Sequence, residues 1–355
     1  MKKNWPNTKN SFSYNLRYLM KDYKIGYFKI LDDNNKEIIN NYYCKDYNKY
    51  FIENTIKPIN EKYNLGLNII IVDDYTKEEC DLVVYEQNGD IHYKLQNRSL
   101  FQQAKGLPKF LMYFWGEPHS WPYLYDYELN KLIRTFNDYI PIASYFKAYS
   151  ITMYEDTPHN CCMPYYINTF EVADIENKKD QILKNKSIDK TNFCSMMFSH
   201  GTEERDTIFS LLNEYKKIRC FGNYKKNMGN IYYDDDNMFN HIMPTYKFNI
   251  CFENCHSDYN ESYITEKICN AFKSGTVPIY WGNNKQIYEV FNKDSFINLT
   301  DVPTDKWVDI IKEYDNNDEL YYKMLNTEAI IDHTITEKYF DKKDKFIIKI
   351  LTEEY

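Results

Sequence analysis

The sequence predicts an α/β protein built as two domains of one kind, each a parallel sheet with helices between its strands, facing each other across a cleft. Three observations predict it. Short apolar runs alternate with stretches of helical length and periodicity along the chain. Between Glu171 and Asn192 the chain turns charged, with Lys178, Lys179, Asp180, Lys184, Lys186, Asp189 and Lys190 and few large apolar side chains, the composition of a linker or of an exposed helix leading into a new domain. After that break the same strand–helix alternation starts again. The expected division is residues 1–180, residues 181–335, and a C-terminal helix or tail over 336–355. A chain of 355 residues has room for two such cores.

In the first half the apolar run Lys24–Ile30 reads as a strand and 46–63 as helical. Leu67–Val72 and Asp81–Tyr85 are further strands, 99–104 is a helical turn, and Lys109–Trp115 is a strand that ends at Gly116-Glu117-Pro118. Ligands of such sheets sit beyond the carboxyl ends of the strands, which makes Glu117 a candidate by position.

In the second half Asn192–Phe198 is a strand, followed by a turn at His200-Gly201-Thr202 and a helix over Glu203–Lys217. Ile208, Leu211, Leu212 and Tyr215 give that helix its buried stripe. Thr202 is a suitable N-cap, with Glu203 and Glu204 in the first turn. Strands Ile218–Phe221 and Lys247–Phe252 follow. A helix over Thr265–Ser274 places Ile268, Ala271 and Phe272 on one side and stops at Gly275. Val277–Trp281 is a strand in which Pro278 favours a strand start or an edge, because proline brings no ladder donor. Ser295–Leu299 is a strand, and Lys306–Tyr314 a helix with Trp307, Ile310, Ile311 and Tyr314 turned inward.

Composition excludes several classes. The 43% hydrophobic and 27% charged residues are those of a soluble globular protein, and the 36 tyrosines fit the codon bias of an AT-rich genome. A net charge of −8 argues against a general nucleic-acid binder but leaves room for a local basic pocket that takes a small phosphorylated ligand. The nine cysteines contain no Cys-x-x-Cys pair and read as buried free thiols. No secretory leader is read at the N-terminus, and no run approaches the ~18 apolar residues of a membrane span. Of four Asn-x-Ser/Thr sequons (Asn97, Asn185, Asn260, Asn298), Asn260 lies where a glycan would obstruct a site. The expectation is a cytoplasmic protein, with its basic, aliphatic C-terminal end either packed as a last helix or in peripheral contact with a membrane.

Four constellations carry candidate chemistry. Arg205, in the first turn of its helix, offers a planar fork for phosphate beside helix N–H donors, or is a solvated Arg paired with Glu204 or Asp206. Glu266 and Lys267 open the helix after Thr265. Adjacent helical residues point about 100° apart, so they could hold two parts of one ligand, Lys a phosphate oxygen and Glu a hydroxyl. Glu117 is either a general base on an aromatic-walled loop or a surface-turn carboxylate. Asp234-Asp235-Asp236 is either a metal-binding Asp-x-Asp or a solvated loop or helix cap. Phosphate-loop, dinucleotide, zinc-protease and nucleophile-elbow fingerprints are absent from the sequence.

Phe252-Glu-Asn, Tyr263-Ile-Thr-Glu-Lys267, Asn270-Ala271 and Gly275-Thr-Val-Pro-Ile-Tyr-Trp-Gly282 form an ordered signature. It resembles that of the α-1,3/1,4-fucosyltransferases, glycosyltransferase family 10, and is most similar to bacterial members. The likeness is strong over about 190–300 and thinner before it. It implies a GT-B fold of two Rossmann-like domains, the N-terminal one binding the acceptor and the C-terminal one GDP-fucose, with no obligatory metal and at most a stimulatory divalent ion. The implied reaction is inverting transfer of L-fucose from GDP-β-L-fucose to a hydroxyl of a glycan acceptor, α-1,3 to a GlcNAc or Glc residue. Family roles fall on Arg205 and Lys267 as diphosphate contacts, on Glu266 as partner of ribose or fucose hydroxyls, on Glu253, Asn254 and Tyr263 as donor-pocket residues, and on Glu117 as general base. Glu117-Pro118-His119-Ser120 departs from the family's usual Glu-Ser or Glu-Asn-Glu-Ser. The rival readings are a related transferase using another nucleotide sugar, and a catalytically silent glycan-binding scaffold of the same fold.

Overall fold

The computed structural model describes residues 20–27, 47–88, 104–115, 125–126, 131–132, 148–152, 156–168, 171–228, 235–254, 256 and 262–353. Glu117 and residues 99–103 of the helical turn expected at 99–104 lie outside them. The first half contributes β1 (Lys21–Tyr27), β2 (Leu67–Val72), β3 (Leu82–Asn88), β4 (Lys109–Trp115), a small antiparallel pair β5 (Tyr125–Asp126) and β6 (Lys131–Leu132), then β7 (Ala148–Thr152) and β8 (Asn160–Cys162). All but the small pair form one parallel sheet in the order β2-β1-β3-β4-β7-β8. The second half contributes β9 (Asn192–Met196), β10 (Ile218–Cys220), β11 (Tyr246–Phe252), β12 (Val277–Trp281) and β13 (Ile297–Asn298), parallel in the order β10-β9-β11-β12-β13.

The two sheets share one topological rule. In each, the first strand has the second on one side and the third on the other, so the winding reverses beside the first strand. In the second sheet that switch point lies between the carboxyl ends of β9 and β11, where open α/β sheets bind ligands. These are two Rossmann-like units, as the alternation predicts.

Strand ends depart from the sequence pattern where a neighbour dictates them. β1 starts at Lys21, three residues before its apolar run, because it pairs with β2 from Lys21↔Leu67 to Gly26↔Val72. β3 runs on to Asn88 through polar residues because β4 accompanies it to Asn88↔Trp115. Pro278 lies between two strands, yet β13 pairs only with Ile279 and Tyr280. The proline therefore sits at the start of the strand, flanked on one side only, where a missing donor is tolerated.

The helices define two cores. A rod made of Tyr47–Phe51, Ile52–Ile56 and Lys57–Lys62 (together α1) packs Phe51, Ile52, Ile56 and Ile59 onto the first sheet. The charged break is two helices, α2 (Glu171–Asn177) and α3 (Lys179–Lys186), not an extended linker. Their buried Val172, Ile175 and Ile182 join the same core as Ile268, Ala271 and Phe272 of α5 (Glu266–Lys273), and Lys273 closes the contact on Glu171 at 2.7 Å. The opposite face of the second sheet is covered by α4 (Glu203–Tyr215), α6 (Trp307–Asn316) and α7 (Asp318–Asn326), through Ile208, Leu212, Trp307, Ile311, Tyr321 and Leu325. With both faces covered, β11 is buried nearly throughout.

The C-terminal segment folds as α8 (Ile335–Thr352) and returns to the first half. Its Ile347, Ile350 and Leu351 are buried in the first core. The buried Lys109 ammonium of β4 donates to the Ile350 and Glu353 carbonyls at 2.6 and 2.5 Å, satisfying carbonyls that a helix end leaves orphaned. Lys62 pairs with Asp344 at 2.9 Å. Of the two expectations for this segment, packing as a last helix is the one observed, and its apolar stripe lies in the core. No helix among the described residues is long and apolar enough to cross one.

Candidate functional site

At the switch point of the second sheet the backbone itself is bridged by Arg205. Thr202 caps α4 by accepting from the Arg205 N–H at 3.3 Å, which sets the arginine in the first turn just past the end of β9. Its Nη1 donates to the His200 carbonyl at 2.9 Å. Nη2 donates to the Phe252 carbonyl at 2.6 Å and to Asn254 Oδ1 at 2.7 Å. The guanidinium lies 4.0 Å over the Phe198 ring. Only 2% of Arg205 is exposed, so the solvated alternative is overturned. Asp206 turns instead to Lys225 and Tyr224, each at 2.5 Å.

Beside this bridge sits the signature segment. Glu253, the first residue after β11, is fully buried and held in place by its own N–H on the Trp281 carbonyl at 2.9 Å. Its Oε1 accepts from the Thr265 N–H at 2.7 Å, and its Oε2 from the Thr265 hydroxyl at 2.7 Å and from Lys267 Nζ at 3.2 Å. The same ammonium reaches Thr265 Oγ1 at 2.9 Å and Glu266 Oε1 at 3.5 Å. Thr265, the N-cap of α5, does not cap with its side chain; the Glu253 carboxylate lies at that helix end instead, where negative charge is favoured. Gly282 leaves the room this requires. A Cβ there would come 2.5 Å from Tyr280 Oη and 2.8 Å from Glu253 Cγ.

Burial lifts the Glu253 carboxyl above the ordinary glutamate range, against the pull of Lys267 and the Thr265 donors. Burial also works against the Lys267 ammonium, as does nearby Arg205. Glu253 and Glu266 outweigh both and hold it above the usual lysine value. The result is two cations and two carboxylates at one end of one sheet, all but Glu266 largely removed from water. Glu266 is 38% exposed and is the group of the four most open to a solute.

The structure thus brings together Arg205, Glu253, Asn254, Glu266 and Lys267. Tyr263 is buried nearby and packs edge-on against Tyr165, from the segment after β8, at 6.5 Å. Thr265 and Phe198 are members that sequence reasoning passed over. A threonine placed directly before Glu266-Lys267 was the available signal for the first, whereas the contact of Phe198 with Arg205 has no sequence signal. Of the aspartate triplet, Asp234 and the Asp235 side chain lie outside the described residues. Asp236 is exposed and accepts from Asn240 at 2.8 Å.

Residues 184–347 match the family described as glycosyltransferase family 10 (fucosyltransferase), C-terminal. The C-terminal half of the chain is thus similar to a family 10 glycosyltransferase domain. An α-(1,3)-fucosyltransferase of Helicobacter pylori is 33% identical over 138 residues, which are 38% of this chain and 27% of that protein. GDP-fucose protein O-fucosyltransferase 3 of Xenopus laevis is 33% identical over 129 residues, 34% of this chain and 27% of that protein. The 4-galactosyl-N-acetylglucosaminide 3-α-L-fucosyltransferase 9 of Mus musculus is 35% identical over 116 residues, 32% of this chain and 31% of that protein. The chain therefore spans about a third or less of each of these relatives. A crystal structure of an α1,3-fucosyltransferase with GDP-fucose superposes over 100% of this chain and 95% of its own, with a TM-score of 0.59 at 19% identity. That likeness makes the fold GT-B.

Proposed function

We propose that the chain is an inverting fucosyltransferase that moves L-fucose from GDP-β-L-fucose to a hydroxyl of an acceptor glycan. The observation that carries the reading is the cation–carboxylate cluster at the β9/β11 switch point, inside the segment that matches family 10. A nucleoside diphosphate leaving group gathers negative charge as the bond to C1 breaks. Lys267 presents positive charge to that end of the sheet, the kind of preorganised field that contributes most to such reactions. Glu266, half-open at the first turn, is placed to accept from a ribose or fucose hydroxyl. Arg205 is already engaged by two backbone carbonyls and Asn254. Its part is to hold the ends of β9 and β11 in register as well as to add positive charge. The reaction passes through a transition state of oxocarbenium character, as in glycoside hydrolysis.

Glu117, two residues past the end of β4, is the proposed general base for the acceptor hydroxyl; it lies outside the described residues. The acceptor belongs to the first half, and the relatives named above include both glycan and protein fucosyltransferases. A cytoplasmic site of action completes the proposal.

The test is incubation of the protein with GDP-fucose and an array of glycans and peptides, read as GDP release coupled to a mass gain on the acceptor. Transfer of fucose to a glycan is the expected result. Transfer only from another nucleotide sugar selects the related-transferase reading, and binding of glycan without turnover of any donor selects the scaffold. Within an active protein, Glu117→Gln is expected to lower turnover by roughly 10²–10⁴-fold; unchanged turnover removes Glu117 as the base.

A further inference from the structure

Glu253 is the most completely buried member of the cluster, and among the described residues its carboxylate's hydrogen-bond partners belong to the start of α5. It receives the Thr265 N–H and hydroxyl at 2.7 Å each and Lys267 Nζ at 3.2 Å, with 0% of the residue exposed. A side chain so enclosed has no face left for a nucleotide sugar. Its position is nevertheless guarded from three sides. The Glu253 N–H is locked on the Trp281 carbonyl, Gly282 keeps its side chain free of a clash, and Arg205 ties the adjacent Phe252 carbonyl and Asn254. Lys267, by contrast, keeps 16% of its side chain exposed and is tethered from behind by that carboxylate. The charges facing it are Glu253 from the end of β11, Glu266 from α5 itself and Arg205 from α4.

We infer that Glu253 is a positioning residue that acts through Lys267: its carboxylate takes the N-cap place of α5 and holds the Lys267 ammonium, charged and oriented, toward the diphosphate without touching the donor. The inference rests on the reading of Lys267 as a diphosphate contact. It separates Glu253 from the direct donor-pocket role that family likeness implies for it. Gln in its place keeps the shape and the acceptor for the Thr265 N–H but loses the charge that restrains Lys267. Asp keeps the charge but withdraws it by one methylene, so that it can no longer serve Thr265 and Lys267 together.

The experiment is a double-mutant cycle on GDP affinity, measured calorimetrically on the full chain for the wild type, Glu253→Gln, Lys267→Ala and the double variant, each first shown to be folded by circular dichroism. Lys267→Ala is expected to weaken GDP by at least tenfold. Glu253→Gln is expected to weaken it by about tenfold in the wild-type background and by less than twofold in the Lys267→Ala background, since residues that act as one unit are not additive. The alkaline limb of the affinity profile also moves to lower pH in Glu253→Gln. Losing that carboxylate lowers the Lys267 pKa, so charge is lost earlier as pH rises. Should Glu253→Gln fail to fold, Glu253→Asp replaces it in the cycle, with a smaller loss that again disappears in the Lys267→Ala background. An equal loss in both backgrounds, or an unmoved alkaline limb, overturns the positioning role and leaves the diphosphate reading standing. Unchanged GDP affinity in Lys267→Ala overturns both.

Discussion

The second sheet carries a cluster of charge at each of its two ends, and the pair is instructive because titration alone does not tell them apart. At the amino end, Asp315 of α6 has a side chain only 2% exposed and gathers Lys216 at 2.5 Å, Tyr215 at 2.9 Å and Lys247 at 3.2 Å. Burial by itself would raise that carboxyl; Lys216, Tyr215 and Lys247 hold it below the usual aspartate value. At the carboxyl end stands the cluster of Glu253, Lys267, Glu266 and Arg205. Both clusters shift pKa values through burial and partners. Only the second lies beyond the carboxyl ends of the strands, at the point where the winding reverses. In the first, a single carboxylate ties the end of α4 and the start of β11 to α6. In the second, two carboxylates and two cations leave Glu266 and part of Lys267 open to a solute. Perturbed charge marks a functional site only when topology supplies a place for a ligand.

The comparison breaks most visibly on function. Lys267→Ala should lower kcat/KM with GDP-fucose by roughly 10²–10³-fold, the scale of losing one preorganised charge-stabilising group. It should also abolish most of the rise in melting temperature that GDP gives the wild type. Asp315→Asn should leave both the GDP-induced rise and GDP affinity within twofold of wild type. A loss of donor affinity in Asp315→Asn would mean that the two clusters are coupled through the sheet and that the division drawn here is wrong.

On stability the order reverses near neutral pH. Asp315→Asn should cost about 3 kcal/mol near pH 7, because it removes the nearer carboxylate of Lys247, whose side chain is only 15% exposed, and leaves it only the exposed Asp318 at 3.7 Å. The folded-state pKa of Asp315 is depressed. Its contribution is therefore fully present above the unfolded aspartate pKa of about 3.9 and is lost as pH falls through the lower, folded value. Urea denaturation from pH 7 down to pH 3 should show the gap between wild type and Asp315→Asn closing below about pH 4. A gap that stays constant over this range would assign the effect to packing instead of charge.

Gly282→Ala tests how closely the carboxyl-end cluster is fitted. The added methyl meets Tyr280 Oη and Glu253 Cγ, an overpacking of the kind that costs about 1–3 kcal/mol. Because one of the two obstructed groups is Glu253, donor affinity should fall together with melting temperature. Loss of stability with donor affinity intact would show that Tyr280 alone takes up the strain.

These contrasts also explain what the sequence could and could not convey. Helix starts, the Gly275 stop and most strands are local features, and the alternation alone marked each half as a parallel α/β unit. The order Tyr263-Ile-Thr-Glu-Lys267 likewise placed Glu266 and Lys267 together, since they are neighbours. Arg205 was ambiguous because its flanking Glu204 and Asp206 suggest a solvated face. What buries it is Phe198 and the Phe252 carbonyl, brought together by the pairing of β9 with β11. The Asp315 cluster carried no signal at all. Its lysines lie 99 and 68 residues away in the chain, and only the packing of α6 against α4 and β11 unites them. Sequence periodicity reports which face is buried, not which buried charges meet.

The smallest effects sharpen the comparison within the site, because α4 and α5 both begin after a threonine that works differently. Thr202 accepts from the Arg205 N–H and so caps its own helix, whereas Thr265 gives its hydroxyl to Glu253 and accepts from Lys267. Thr202→Ala removes a cap and should cost about 1 kcal/mol of stability, with GDP affinity changed by less than twofold because the Arg205 side chain keeps its carbonyl partners. Thr265→Ala removes no cap from α5, since the Glu253 carboxylate still receives its N–H. Its melting temperature should fall less than that of Thr202→Ala, yet its GDP affinity should fall more, by about three- to tenfold, as Lys267 loses one of its tethers and a share of its orientation. Measuring melting temperature and GDP affinity on the two variants side by side decides it. If the ranking by affinity follows the ranking by stability, the hydroxyl between Glu253 and Lys267 only braces the fold and has no part in presenting the cation.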